Sequence, residues 1–235
     1  MALLSRLVRR LRSSAAYKGD HLAEYARHTD RRVETDPKAA IGGMWEEIGQ
    51  LQIDFLKNEG LLPADRLLDI GCGTLRGGRH FIRYLDEGRY TGTELSLGAV
   101  DAARSLVERE ALTEKHAAII HVPDGRLTFE DLSGPFAYIF AQSVFTHLAK
   151  RHIEQCFANL PTIMDDRSLF YFTFNETAEP TRSSFKNFAY PFGFLRAIAE
   201  ANGLTVEDVS ERYPHPRQQR MVRARLARGF RGLHS

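Results

Sequence analysis

The chain of 235 residues is nearly without cysteine, holding Cys72 and Cys156 alone. Two thiols supply neither a disulfide framework nor a thiol metal site, which points to a reducing, cytoplasmic setting. Long apolar runs are also missing: no stretch approaches the roughly 20 residues of a membrane-spanning helix. Near the start, Arg6, Arg9, Arg10 and Arg12 interrupt the apolar residues, where a signal peptide would keep an unbroken core. An excess of one charge is lacking as well. With 32 Lys and Arg against 30 Asp and Glu the net charge is +2, which argues against bulk nucleic-acid binding. The positive charge gathers at the two ends. What remains is 43% hydrophobic and 10% aromatic, enough to bury a sizeable core in one domain with appended segments.

One stretch organises the rest: Leu67-Leu68-Asp69-Ile70-Gly71-Cys72-Gly73-Thr74-Leu75-Arg76-Gly77-Gly78. An apolar run enters a glycine turn, and the turn enters a helix. In parallel α/β sheets such turns lie at the carboxyl ends of strands, where ligands bind. Gly71 and Gly73 permit positive φ and close backbone approach, and the amides opening the next helix face an anion. The third glycine comes one place late for the dinucleotide fingerprint. Asp69 is foreign to that fingerprint, and a buried strand ending in an acid is costly without a partner. A tight turn without ligand is the bland alternative.

This stretch resembles motif I of the class I S-adenosylmethionine-dependent methyltransferases, an acidic residue followed by Gly-x-Gly. The resemblance implies a Rossmann-like α/β fold: a seven-stranded sheet, mostly parallel with the last strand antiparallel, and helices on both faces. It implies that Asp69, Gly71, Cys72 and Gly73 meet the methionine part of the cofactor. Arg76, a cation that opposes the dipole of the helix it opens, is a candidate contact of the cofactor carboxylate or of the acceptor side, equally well an arginine facing solvent. Glu94 follows Gly73 by 21 residues and ends the predicted second strand, Tyr90 to Ser96. That is where nucleotide-binding folds place a carboxylate on ribose hydroxyls, with Leu95 beside it. After the third strand, Ala117 to Val122, the family often places an acid on the adenine amino group. Asp124 matches by position, although Asp124-Gly125 is also an ordinary turn.

The fourth strand, Phe136 to Ala141, delivers Gln142, Ser143 and His147 to the same edge. In the family the residues here lie between sulfonium and acceptor, so Gln142 and Ser143 are cofactor candidates and His147 is the candidate base. A helix follows with Ile153, Cys156, Phe157 and Leu160 on one face. Ser168 to Phe174 reads as the fifth strand, and Asp165-Asp166 before it lies at the end away from the site. Residues 175–190 form a polar and aromatic insertion, Phe192 to Ala201 a helix, and Leu204 to Glu211 with Gln219 to Leu226 a final hairpin. The hairpin turn makes His215 and Arg217 candidate acceptor contacts, equally well a proline-stiffened turn. Tyr190 joins them from the insertion. Upstream, a helix starting at Ile41 carries a stripe of Met44, Ile48, Leu51 and Phe55, flanked by Trp45, Gln52 and Leu56. Trp45 is a substrate-pocket candidate, with Glu47 and Gln52 beside it.

The expected division is 1–40 as a basic N-terminal helical extension, 41–227 as the methyltransferase domain and 228–235 as a flexible tail. Within the extension, residues 17–40 are polar, with a break at Asp36-Pro37. Leu3, Leu4, Leu7, Val8 and Leu11 at helical spacing suit docking, fraying or membrane contact. More narrowly, Gly-Cys-Gly-Thr-Leu-Arg-Gly-Gly, Gln-Ser-Val-Phe-Thr-His-Leu and His-Pro-Arg-Gln resemble a bacterial group that includes methyltransferases of sugar hydroxyls. This implies O-methylation of a small acceptor, a sugar or oligosaccharide, with His147 as base and S-adenosylmethionine as donor. Glu94 stands where that group more often has Asp, which lengthens the arm. Transfer to a carboxylate, amine or natural-product hydroxyl, or cofactor binding without catalysis, stays open. So does a magnesium ion held partly by substrate, which leaves little sequence trace. Oligomeric state has no signature here.

Overall fold

The computed structural model describes residues 21–229. The predicted basic helix near the start and most of the predicted tail lie outside these residues. Seven strands form one sheet: β1 Leu67–Ile70, β2 Tyr90–Glu94, β3 Ala118–His121, β4 Tyr138–Ala141, β5 Leu169–Phe174, β8 Leu204–Asp208 and β9 Arg220–Leu226. A separate two-stranded hairpin, β6 Thr181–Arg182 and β7 Phe188–Ala189, occupies the predicted insertion. The sheet order is β3-β2-β1-β4-β5-β9-β8. Strands β1 to β5 pair in parallel, and β9 runs antiparallel to both β5 and β8. The expected seven-stranded Rossmann-like sheet is present, and the β8–β9 turn falls at the carboxyl edge of the parallel strands.

Central parallel strands are covered on both faces, so they are buried and mostly apolar apart from polar residues such as Asp69 and Thr173 near their carboxyl ends. The pleat then sorts them. Leu68, Ile70, Ile139, Ala141, Phe170 and Phe172 join Ile153, Cys156 and Phe157 of α6 (Lys150–Asn159) and Leu195 and Ala199 of α7 (Phe192–Ala201). On the other face Leu67, Tyr90, Tyr138, Phe140 and Tyr171 meet α3 (Trp45–Asn58), α4 (Gly78–Tyr84) and α5 (Leu97–Arg109). The tyrosine hydroxyls are not left dry: Tyr138 donates to Glu59 O and Tyr171 to the Glu59 carboxylate.

Several boundaries differ from the sequence expectation. The helix placed from Ile41 starts at Trp45, because Gly42 and Gly43 hold φ of 101° and 68° and cannot propagate a right-handed turn. Its buried face is accordingly Trp45, Ile48, Gln52, Ile53, Phe55 and Leu56, with Met44 left as a left-handed cap. Strand β2 stops at Glu94 because Ser96 caps α5, its Oγ accepting from Ala99 N at 3.1 Å. The polar residues before Asp36 form a helix, α1 His21–Thr35. Asp36 then caps the short α2 (Pro37–Ala40), accepting from Lys38 N and Ala39 N. Among the described residues no helix is long and apolar enough to cross a membrane.

Phe172 is fully buried, its ring 4.3 Å from that of Phe145 and flanked by Phe157 and Phe170. Phe172→Ala is expected to lower unfolding stability by about 3–5 kcal/mol through lost burial and a cavity. Denaturant titration checks this; the midpoint should fall with little change in slope.

Candidate active site

The carboxyl ends of β1, β2, β3 and β4 open into a cavity of about 350 Å³. Its floor is the turn after β1. Gly71 and Gly73 stand at φ of 69° and 56°, and Gly71 N and Cys72 N both donate to Thr93 O, at 2.8 and 3.0 Å. A Cβ on Gly71 would come 2.6 Å from the Val144 side chain, so this backbone lies tight against the segment after β4. The two glycines are therefore conformational and steric requirements at once.

Glu94 closes this floor. One carboxylate oxygen accepts from Gly73 N at 3.0 Å, and the other from Leu95 N and Ser96 N at 2.8 Å each. An aspartate at this position has one methylene less with which to span from β2 to the glycine turn. Burial raises the Glu94 pKa, and the three amides partly offset that rise.

Two opposite charges sit beyond the glycines. Asp69, 5% exposed, accepts from Tyr90 Oη at 2.8 Å through one oxygen, and the other oxygen makes no hydrogen bond among the described residues. Burial pushes its pKa up to about 7. Arg76, 6% exposed, donates through Nη1 to Ile41 O and Gly43 O, while its buried Nε has no partner among the described residues. Burial lowers its pKa to about 10, so it stays cationic at neutral pH. No carboxylate pairs with it among the described residues. An acceptor and an unpaired donor of opposite charge match a ligand bearing both an ammonium and a carboxylate.

The far end of the cavity is bounded by His121 to Leu132. Asp124 lies on this wall, exposed, with its carboxylate 2.7 Å from Arg126 Nε. The near end is bounded by Gln142, Ser143, Val144 and His147. Ser143 N donates to Thr173 Oγ1 at 2.7 Å. His147 Nδ1 is 2.6 Å from Lys186 O. A carbonyl oxygen only accepts, so Nδ1 carries the proton and Nε2 keeps a free lone pair. Burial is the main reason that the imidazole pKa falls to about 4, so the ring is neutral at physiological pH.

The structure thus brings Asp69, Gly71, Cys72, Gly73, Arg76, Glu94, Leu95, Asp124, Gln142, Ser143 and His147 to one cavity. The four acceptor candidates stand elsewhere. Trp45 is buried beneath Lys38 and Arg79, each 5.4 Å from its ring. Tyr190 packs on Phe194 and donates to Leu148 O. His215 backs the wall from behind, 3.0 Å from Gln142 Nε2, and Arg217 is exposed and donates to Gly42 O. Residues not singled out as site candidates also line the cavity: Leu22, Tyr25 and Thr29 of α1, together with Ile41. Leu22, Tyr25, Thr29 and Val33 do recur at helical spacing, which is the signal that marks α1 in the sequence.

Residues 68–170, from β1 into β5, match the family model described as a methyltransferase domain. The chain also superposes on solved structures at low identity. Magnesium protoporphyrin IX methyltransferase from Synechocystis PCC 6803, with bound SAH, is 15% identical at a TM-score of 0.60, covering 95% of this chain and 100% of that one. The CcbJ methyltransferase from Streptomyces caelestis is 16% identical at 0.64, with coverage of 86% and 98%. The cyclase SpnF is 16% identical at 0.65, with coverage of 88% and 97%. The chain has the fold of the class I S-adenosylmethionine-dependent methyltransferases, and its residues from β1 into β5 are similar to a methyltransferase domain.

The donor set fits S-adenosylmethionine. Asp69 and Arg76 match its amino and carboxylate groups, Glu94 stands at the strand end suited to ribose hydroxyls, and the loop after β3 borders the remainder. Asp69 is ionised mainly above about pH 7, so cofactor affinity is expected to rise between about pH 6 and pH 7.5 as the acceptor charge forms. Asp69→Asn keeps the shape and should weaken binding while flattening this pH dependence. Calorimetry at both pH values checks it; equal affinities in wild type and variant remove Asp69 from the site.

Proposed function

We propose that this chain is an S-adenosylmethionine-dependent O-methyltransferase acting on a hydroxyl of a small acceptor, a sugar or oligosaccharide, with His147 as base. The observation that carries the reading is the free Nε2 of a neutral imidazole at the mouth of β4, on the same cavity as Asp69, Arg76 and Glu94. The saccharide rests on the three sequence motifs that resemble sugar-hydroxyl methyltransferases. Bound S-adenosylmethionine supplies an already activated methyl group, so the protein mainly aligns and desolvates the reactants.

His147 takes the acceptor proton as the new oxygen–carbon bond forms and the methyl–sulfur bond breaks, with that bond's electron pair leaving on sulfur. A base with a pKa near 4 does not ionise a sugar hydroxyl in advance. It does not have to. The oxygen becomes strongly acidic as it gains the methyl group, and even a weak base accepts its proton late in the step. Lys186 O holds the proton-bearing nitrogen so that the free lone pair stays on Nε2. Gly71 and Gly73 leave the floor clear, and Glu94 keeps it rigid.

A second reading, cofactor binding without methyl transfer, is favoured by the presence of a cyclase among the structures of this fold. An acceptor screen with labelled cofactor separates the two: the proposal expects label on a saccharide hydroxyl. His147→Ala is expected to cut turnover by about 10²–10⁴-fold at saturating acceptor while keeping cofactor affinity. The wild-type rate should fall only as pH drops toward about 4, not near 6.5, because protonation removes the lone pair. That limb should vanish in the variant. If the variant keeps more than about a tenth of turnover, His147 is not the base.

A further inference from the structure

The base is gripped from two sides, and one of them comes from a helix that precedes the matched domain. The Tyr25 ring of α1 stacks on the His147 imidazole, with centroids 4.7 Å apart and planes at 29°. Both rings line the cavity. Lys186 joins the same assembly twice: its carbonyl accepts from His147 Nδ1, and its ammonium donates to His28 Nε2 at 2.8 Å and stands 5.8 Å from the Tyr25 ring. At the other flank Asp30 accepts from Ser96 Oγ at 2.5 Å and Gly98 N at 3.0 Å, pinning α1 to the start of α5. Helix α1 is therefore held at His28 and again at Asp30, about one turn beyond Tyr25.

We propose that Tyr25 is the positioning residue for His147, its ring fixing the imidazole plane and excluding water, so that α1 completes the active site. This rests on His147 being the base. The carbonyl of Lys186 sets which nitrogen bears the proton, yet one hydrogen bond leaves the ring free to swing about it. A flat apolar surface at stacking distance removes that freedom and dries the adjacent face. A base misplaced by about 1 Å can cost on the order of 10²-fold in rate. The Tyr25 hydroxyl stays protonated, because burial first and the Glu94 charge second hold its pKa above the usual phenol value. Groups facing the stack are few: Lys186 and His21 disfavour a charged His147, and Arg32 and Thr29 face Tyr25.

Two variants remove the ring, Tyr25→Ala and Tyr25→Leu, and one keeps it, Tyr25→Phe. The first measurement uses the ligand-free, nitrogen-15-labelled full chain and records histidine side-chain spectra against pH, with His147→Ala assigning the signal. Wild type and Tyr25→Phe should show a single Nδ1-protonated ring titrating well below 6.5. In both ring-less variants the titration should move up toward 6.5 and the tautomers should mix. The second measurement is turnover at saturating cofactor: kcat should drop about tenfold or more without the ring and stay within about twofold in Tyr25→Phe. Should Tyr25→Ala fail to fold, Tyr25→Leu, which keeps apolar bulk, carries both measurements. Folded ring-less variants with unchanged titration and kcat overturn the proposal. So does an equal kcat loss in Tyr25→Phe, which would make the hydroxyl responsible. If no acceptor is turned over by wild type, the methyl-transfer reading fails, while the spectra still decide what Tyr25 does to His147.

Discussion

Everything at the cavity depends on a buried carboxylate that accepts three backbone amides. Glu94 receives Gly73 N from the turn after β1 and Leu95 N and Ser96 N from the turn after β2. An isolated buried carboxylate is strongly disfavoured, and bonds from amides to its charged form are what make it tolerable. The result is reciprocal. The carboxylate is held by turns that would otherwise be free to spread, and the turns are held at one separation by the carboxylate. Gly71 N and Cys72 N on Thr93 O add a backbone stitch between the same two elements.

The opposite wall is built on different physics. Tyr213 donates to Gln142 Oε1 at 2.6 Å, and Gln142, Ser143 and Thr173 converge on Gln219 Oε1. These residues come from β5, the β8–β9 turn and the segment after β4. Such a network is strong only when every member is satisfied. It orients Gln142 and Ser143 at the cavity without placing the turn's own His215 or Arg217 on the cavity wall. The third wall, α1, adds an aromatic face. Floor, network and helix come from three separate parts of the chain, and His147 stands where the latter two meet.

The glycine turn, the acid two residues before it and Glu94 were legible because strand–turn–helix chemistry is local and the strands fall in parallel register, Ile70 beside Thr93. His147 was legible by position alone, since the segment after β4 must emerge at the same sheet edge. Trp45 stands away from the cavity for an equally physical reason. Helical periodicity marks it as inward-facing, but inward here means beneath Lys38 and Arg79, and period does not distinguish a core from a cavity. Helix α1 meets the cavity through Leu22, Tyr25 and Thr29, a mixed face whose helical spacing does not reveal that it borders a cavity.

By itself, then, the sequence determined the elements and their order: apolar runs long enough for strands, turn residues that demand positive φ, and the acids that close the floor. These are short-range properties, set by sterics and by burial on both faces of a parallel sheet. Only the tertiary structure decided which side chains share the cavity with His147. Tyr25 and Lys186 lie 122 and 39 residues from it, and no local pattern encodes a contact whose energy exists only after the intervening sheet has brought the two ends together.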